Sequence, residues 1–178
     1  MNKLKYGASV FDFDETVGFS NNIVTATKGG YTISITSYDW PKVGEKMISD
    51  GWVMNFDDFN KITNGTPGPL IGKLKNQIKK YSNESVYILT ARHSDSEQAI
   101  YKWLLEQGIE LKRENIVGLG NSTGEAKAKW IQNNLIETGV NDIYFVDDAF
   151  SNVQAVKEMF KEYPRGFLVE GGKSIITI

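Results

Sequence analysis

The chain has 178 residues, of which 40% are hydrophobic and 24% are charged, and its formal net charge at pH 7 is −2. These values are typical of a folded globular protein, and they exclude a disordered chain and a broadly basic nucleic-acid coat. The chain has no cysteine, which rules out disulfides, thiolate metal sites and cysteine nucleophiles and fits a reducing compartment. No apolar run is long enough for a signal peptide or a membrane span, so we expect a cytoplasmic protein that does not bind membranes.

The first predicted element is a buried strand at residues 7–13, and the segment that follows it breaks the usual pattern. Residues 18–66, which we call the insertion, show no clear crossover helix. Apolar residues alternate over 23–27 and 31–35 around a Lys-Gly-Gly turn, which predicts a β-hairpin, and a short helix at 41–50 and an ordered loop at 56–59 follow. Because the insertion leaves the first strand directly, we expect it to overhang that strand's carboxyl end.

The rest of the chain alternates between helical and strand patterns. The predicted elements are a helix at 70–81, a strand at 86–90, a helix between a capping box at 94–97 and Gly108, a strand at 115–119, a helix after a capping box at 122–125, a strand at 142–146 and a helix at 153–160. Weaker strand candidates lie at 166–169 and 174–178. This order predicts a three-layer α/β/α, Rossmann-like fold with a parallel sheet, as a single domain over 1–178 that carries the insertion.

Polar residues follow the predicted strands at the points where ligand sites form in such sheets. They are Asp12, Asp14 and Thr16 after the first strand, Thr90, Ala91 and Arg92 at the second, Lys127 and Lys129 on the helix after the third, and Asp147, Asp148 and Asn152 after the fourth. Because the carboxyl ends of parallel strands share one edge of the sheet, we expect these groups to converge there.

Converging carboxylates repel each other unless a cation lies among them. An all-oxygen site without nearby histidine or cysteine ligands favours Mg²⁺ over Zn²⁺. A carboxylate can also attack phosphorus to form an aspartyl phosphate, while a second carboxyl protonates the leaving oxygen and later deprotonates water. Asp14, two residues after Asp12, is well placed for the second role.

The motif residues resemble those of the haloacid dehalogenase superfamily. Asp12-Phe13-Asp14-Glu15-Thr16 resembles its first motif, Asp-x-Asp-x-Thr, and residues 88–92, the lysine and residues 145–148 resemble its second, third and fourth motifs. The resemblance covers about residues 6–160 in the family's order and spacing. Its details are similar to small phosphatases of the bacteriophage-type and polynucleotide 3′-phosphatase-like branches.

The resemblance implies a role for most of the motif residues. Asp12 would be the nucleophile and a magnesium ligand, and Asp14 would be the general acid/base with its backbone carbonyl on the metal. Thr90 would hold the phosphoryl group, together with Ala91, Arg92 and Thr16, and Asp147 and Asp148 would hold Mg²⁺ directly or through water. From the residues themselves, Arg92 could clamp a phosphate or form a surface ion pair, and Asn152 could orient Lys127 or Asp147.

The choice of lysine depends on helical spacing. Lys127 lies three and four residues before Trp130 and Ile131, which mark the apolar face of the helix, so we expect Lys127 to face the site and Lys129 to point elsewhere. Tyr31, Trp40 and Trp52 in the insertion could stack on a base or sugar, but a small core inside the insertion is the favoured interpretation.

These residues together predict magnesium-dependent hydrolysis of a phosphomonoester through an aspartyl phosphate. The substrate would be a phosphorylated small molecule, a nucleotide or a nucleic-acid end. The short insertion suggests a flap, which leaves the site open to a bulky substrate such as a nucleic-acid end or a phosphoprotein, or lets a second subunit of a homo-oligomer close it. The alternative is a phospho-accepting module like the receiver domains of signalling proteins, which also use acidic groups, Mg²⁺, a threonine and a lysine. Those domains usually place the acidic pair after the first strand, whereas here it follows the fourth.

Overall fold

The computed structural model describes residues 7–140 and 142–163 of the chain. In chain order, its strands and helices are β1 (Gly7–Phe11), β2 (Gly18–Phe19), β3 (Ile23–Lys28), β4 (Tyr31–Thr36), α1 (Trp40–Ser49), β5 (Val53–Asn55), β6 (Thr66–Pro67), α2 (Ile71–Tyr81), β7 (Val86–Thr90), α3 (Glu97–Glu106), β8 (Ile116–Gly118), α4 (Gly124–Asn134), β9 (Asp142–Val146) and α5 (Phe150–Phe160). Short 3₁₀ turns lie at Asp57–Asn60, Ser94–Ser96, Arg113–Asn115 and Ile136–Thr138.

Four of these strands form a parallel sheet in the order β8-β7-β1-β9. β1 lies inside the sheet, and its register pairs Phe11 with Ile88 on one side and with Val146 on the other. Strands that are covered on both faces need apolar side chains at nearly every position, which explains the continuous apolar runs of the sequence. The register also brings the carboxyl ends of β1, β7 and β9 to the same edge.

Helices cover both faces of this sheet. On one face, Val10 and Phe145 pack with residues of α4 and α5 such as Ile131 and Val156. On the other face, Phe11, Val86, Ile88 and Val146 pack with α2 and α3 through Leu74, Ile100 and Leu104. The predicted α/β fold with a parallel sheet is therefore confirmed, and its layout is compatible with a Rossmann-like arrangement.

The insertion has a sheet of its own. β3 pairs with β4 and with β5, both antiparallel, which confirms the predicted hairpin. Trp40 of α1 and Trp52 pack against Val24 and Phe59 in a small separate core, as expected, but Tyr31 is 74% exposed, so including it in that core was wrong. Where the insertion joins the main sheet, β2 and β6 form a short antiparallel pair that holds its two ends together.

Several element boundaries differ from the predictions. Asn115 lies in a 3₁₀ turn and not in β8, because its side-chain amide donates to the backbone carbonyls of Asn83, Glu84 and Val86. The capping box at 94–97 does not form, since the Glu97 carboxylate accepts instead from the backbone N–H of Gly118.

The second capping box does not form either, because the N-cap lies one residue later than predicted. Thr123, rather than Ser122, is the N-cap of α4, and its hydroxyl accepts from the backbone N–H of Ala126. The weaker strand candidates at 166–169 and 174–178 lie outside the described residues. Among the helices that the structure describes, none combines the length and the apolar composition that crossing a bilayer requires.

Candidate active site

The centre of the site is a buried lysine between two aspartates. Asp12 follows β1 directly, and its backbone N–H donates to the carbonyl of Val146, which holds it at the end of the sheet. The Lys127 ammonium lies 2.7 Å from Asp12 Oδ1 and 2.6 Å from Asp147 Oδ2. Lys129 is exposed on the opposite side of α4. Burying an ammonium group costs several kcal/mol unless anionic partners surround it, so the two carboxylates stabilise Lys127 in this place.

Close packing of two helices brings Lys127 to the sheet edge. α4 begins at Gly124, and a Cβ atom on that residue would lie 2.7 Å from the side chain of Ala155 and 2.8 Å from the backbone oxygen of Ser151, both in α5. Glycine therefore lets the two helices approach at this point. One turn later, Lys127 is 1% exposed and directed between Asp12 and Asp147.

Asp147 is held on several sides. Its Oδ1 accepts from the backbone N–H of Ala149 at 2.9 Å, and its Oδ2 accepts from the side-chain amide of Asn152 at 2.9 Å as well as from Lys127. Asn152 is therefore next to Asp147, which is one of the two partners that the sequence suggested for it. These contacts fix the orientation of the Asp147 carboxylate before any ligand binds.

Three carboxylates come together at this edge. Asp12, Asp147 and Asp148 each offer one oxygen, and the three oxygens lie within 4.8 Å of one another. Burial and, to a smaller extent, the charge of Asp147 together raise the pKa of Asp148 to about 6. Burial also raises the pKa of Asp12 well above its ordinary value, and the charge of Asp147 acts in the same direction.

The lysine does not neutralise this cluster alone. Burial by itself would lower the pKa of Lys127, but the Asp12 and Asp147 carboxylates outweigh it, so the pKa is raised and the group stays protonated. One ammonium then faces three carboxyl groups, and the pKa values of Asp12 and Asp148 remain raised in its presence. The negative charge of these carboxylates therefore exceeds the positive charge of Lys127, and such a group of oxygens could hold a divalent cation.

The two predicted threonines are both buried in the site. Thr16 donates its hydroxyl to Asp12 Oδ2 at 3.1 Å, so it supports the carboxylate directly. Thr90 ends β7, and its Oγ1 accepts from the backbone N–H of Arg92 at 3.1 Å. Ala91 follows at the same edge and is half-buried. Contacts of these three residues with a phosphate stay predictions.

Arg92 has a different position from the one we predicted for a phosphate clamp. Its Nε and Nη2 donate to the two carboxylate oxygens of Asp14, and its Nη1 donates to the backbone oxygens of Phe59 and Lys61 in the insertion. Nη2 also contacts Ser20 and Asn22. All five N–H groups therefore have protein acceptors, so the alternative of an ion pair describes Arg92, and this pair is buried rather than on the surface.

Sequence reasoning missed Glu15 as part of this site. Glu15 is 7% exposed, its φ is 63°, and its carboxylate accepts from the hydroxyl of Ser37 at 2.8 Å. The left-handed backbone of Glu15 turns the chain sharply after Asp14. The position of Glu15 inside the first motif was the available signal, but neither its backbone angle nor its partner in the insertion can be read from local sequence.

Comparison with models of protein families gives no match, and neither the curated proteins nor the solved structures include one that matches this chain. The function of the site therefore has to follow from its geometry and from the motifs that form it.

Proposed function

We propose that this protein is a magnesium-dependent phosphatase of the haloacid dehalogenase type, which hydrolyses phosphomonoesters through an aspartyl phosphate on Asp12. The observation that carries the proposal is the buried group of Asp12, Lys127 and Asp147 at the end of β1. A carboxylate that is held between a lysine and a threonine hydroxyl, beside two further carboxylates, suits attack on phosphorus better than it suits a structural ion pair.

The chemistry assigned to the chain takes two steps. In the first, a carboxylate oxygen of Asp12 bonds to phosphorus as the bond to the leaving oxygen breaks, and Asp14 gives that oxygen a proton. In the second, Asp14 takes a proton from water, whose oxygen bonds to phosphorus as the bond to Asp12 breaks, so that inorganic phosphate leaves. Lys127 offsets the negative charge near the phosphoryl group, and Thr90 holds that group in place.

Asp12, Asp147, Asp148 and the backbone carbonyl of Asp14 would hold the Mg²⁺ ion. The donors fit this metal because all are oxygens and because the cluster has more negative charge than Lys127 offsets. When bound, Mg²⁺ supplies positive charge that reduces the repulsion between the carboxylates and the phosphoryl oxygens.

The proposal is tested by release of inorganic phosphate from a panel of phosphomonoesters, with added Mg²⁺ or with EDTA. We expect activity with Mg²⁺ and none with EDTA. Within the panel, a 3′-phosphorylated oligonucleotide should react faster than small sugar phosphates, because we infer that an insertion built around one three-stranded sheet and one helix leaves the site open to a bulky substrate. The reverse order would overturn the substrate class, and no activity on any compound would overturn the phosphatase itself.

Asp148→Asn should stabilise the metal-free protein. The folded pKa of Asp148 is about 6 against an ordinary 3.8, so the ionised carboxylate destabilises the fold progressively as pH rises from about 4 to 6 and fully above that range. Removing this charge should add about 1–3 kcal/mol to the free energy of unfolding at about pH 7.5, and the gain should vanish near pH 4. Urea unfolding in EDTA measures both values.

The same variant should respond less to magnesium. Ligand binding raises the free energy of unfolding by about 2.7 kcal/mol at a hundred times the dissociation constant, so the parent should gain stability on addition of Mg²⁺. Asp148→Asn should gain less, since it has lost one of three carboxylates. A variant that is less stable than the parent in EDTA at neutral pH would show that the cluster is not electrostatically strained.

A further inference from the structure

Arg92 links the first motif to the insertion. Its Nε and Nη2 lie 2.9 and 2.7 Å from the two carboxylate oxygens of Asp14, and its Nη1 lies 3.0 and 2.9 Å from the backbone oxygens of Phe59 and Lys61. The guanidinium is planar, so fixing one edge to the insertion fixes the direction of the other edge. The rings of Phe13 and Phe59 lie 5.4 and 4.7 Å from its central carbon and further limit its movement.

The part of the insertion that Arg92 contacts is itself held by a polar network. The side-chain amide of Asn22 donates to the backbone oxygen of Asp58 at 2.8 Å and to the Thr63 hydroxyl at 3.2 Å, while its Oδ1 accepts from Arg92 at 3.3 Å. Asp58 in turn accepts from the backbone N–H of Ile23 at 2.8 Å. The start of β3 and the 3₁₀ turn at Asp57–Asn60 therefore hold each other in place next to Arg92.

This arrangement fixes the orientation of the Asp14 carboxylate. The Asp14 side chain is 20% exposed, whereas that of Arg92 is 2% exposed, so the arginine is fixed in the interior and the carboxylate lies where the interior meets solvent. A bidentate pair defines both the position and the plane of a carboxylate. Without Arg92, the Asp14 side chain would be free to adopt other rotamers at this border.

We propose that Arg92 is a positioning residue, through which the insertion sets the orientation of the Asp14 carboxyl group toward the leaving oxygen of the substrate. The proposal rests on the proposed phosphatase function and on the acid/base role of Asp14 in it. The N–H groups of Arg92 are all taken by protein acceptors, and none of these acceptors belongs to Asp12. The insertion then contributes to the chemistry of the site as well as to its shape.

The test compares two substrates whose leaving groups differ in their need for a proton. The weakly basic 4-nitrophenolate ion leaves easily from 4-nitrophenyl phosphate, whereas the alkoxide of glycerol phosphate needs a general acid. Because kcat/KM covers the steps up to departure of the leaving group, the ratio of kcat/KM for glycerol phosphate to that for 4-nitrophenyl phosphate reports how well Asp14 is placed. The ratio is also independent of how much of a preparation is folded, since both values scale with active enzyme.

Arg92→Lys keeps the charge but loses the planar fork, and we expect it to lower this ratio about tenfold to a hundredfold. Asn22→Ala leaves Asp14 and Arg92 intact but loosens the insertion beside them, and it should lower the ratio in the same direction by a smaller factor. Lys46→Ala is the matched control in the insertion, because Lys46 is exposed and pairs only with Asp50 among the acidic residues described. Its ratio should equal that of the parent.

The outcomes separate the proposal from the function on which it rests. An unchanged ratio in Arg92→Lys, with a parent that hydrolyses both substrates, would overturn the positioning role and leave the phosphatase intact. A lower ratio in Arg92→Lys with an unchanged ratio in Asn22→Ala would overturn the coupling to the insertion. A parent that hydrolyses neither substrate would overturn the function and this inference together.

Discussion

Replacement of Asp12 by asparagine is expected to lower kcat/KM for every phosphomonoester that the parent hydrolyses, by a factor on the order of 10⁴ or more. The amide has nearly the shape of the carboxylate but cannot form the acyl phosphate. Its oxygen can still accept from Lys127, and its NH₂ group can donate to the Thr16 hydroxyl once that hydroxyl rotates. Phosphate release in Mg²⁺ from parent and variant measures the effect.

The loss should not come from unfolding. Burial and the neighbouring carboxylates raise the pKa of Asp12, which favours a neutral group at this position, whereas Lys127 loses one of its two anionic partners. We expect these two effects to offset each other, so that the variant stays folded. Thermal unfolding in EDTA provides this check. Asp50→Asn, which makes the same chemical change at an exposed carboxylate of the insertion, should keep full activity. Full activity in Asp12→Asn would refute the proposed nucleophile.

The sheet was predictable because its strands are covered on both faces. Continuous apolar runs such as those of Val86–Thr90 and Asp142–Val146 have few alternatives to a buried strand, and the helical stripes between them require parallel connections. Helix starts were less predictable. Ser122 and Thr123 are adjacent and equally suitable as caps, and only the backbone angles of the folded chain select Thr123.

The position of Lys127 was predictable for a similar reason. Trp130 and Ile131 mark the inner face of α4, and helical spacing then separates Lys127 from Lys129 without any knowledge of the partners. The lysine is buried because Asp12 and Asp147 lie at the ends of two adjacent strands, β1 and β9. Local periodicity and sheet topology together were sufficient for this part of the site.

The partners of Arg92 could not be read from the sequence. Two of its acceptors are backbone oxygens, at Phe59 and Lys61, and every residue has such an oxygen. The path of the insertion decides which of them lie near Arg92, and that path depends on buried polar contacts such as those of Asn22 over more than 30 positions of the chain. For the same reason, the contact between Glu15 and Ser37 could not be predicted from the sequence.

Asp14→Asn is expected to lower kcat/KM for glycerol phosphate by about 10²–10⁴. The asparagine cannot exchange a proton with the leaving oxygen, so kcat/KM should fall most for alkyl esters. With 4-nitrophenyl phosphate the first step should largely persist, while attack of water on the aspartyl phosphate slows, because that step needs a base. We therefore expect a burst of nitrophenol close to one equivalent per active site, followed by slow turnover, in a stopped-flow experiment.

Asp14→Asn, unlike Asp12→Asn, should lose stability. The Asp14 carboxylate accepts from two N–H groups of a buried guanidinium, and an amide would turn its own donors toward one of them. A donor left without its acceptor costs about 1–3 kcal/mol. Because the burst amplitude counts only folded, active sites, the slow turnover can be separated from this loss of stability.

Magnesium binding by Asp14→Asn tests whether the Asp14 side chain acts as an acid and base without binding the metal. The Asp14 side chain is bound to Arg92, and it is not among the three carboxylates that lie within 4.8 Å of one another. The variant should therefore keep the stabilisation by Mg²⁺ in thermal unfolding that we expect for the parent. If it loses that stabilisation, the Asp14 carboxylate is a metal ligand, and the acid/base role belongs to another group.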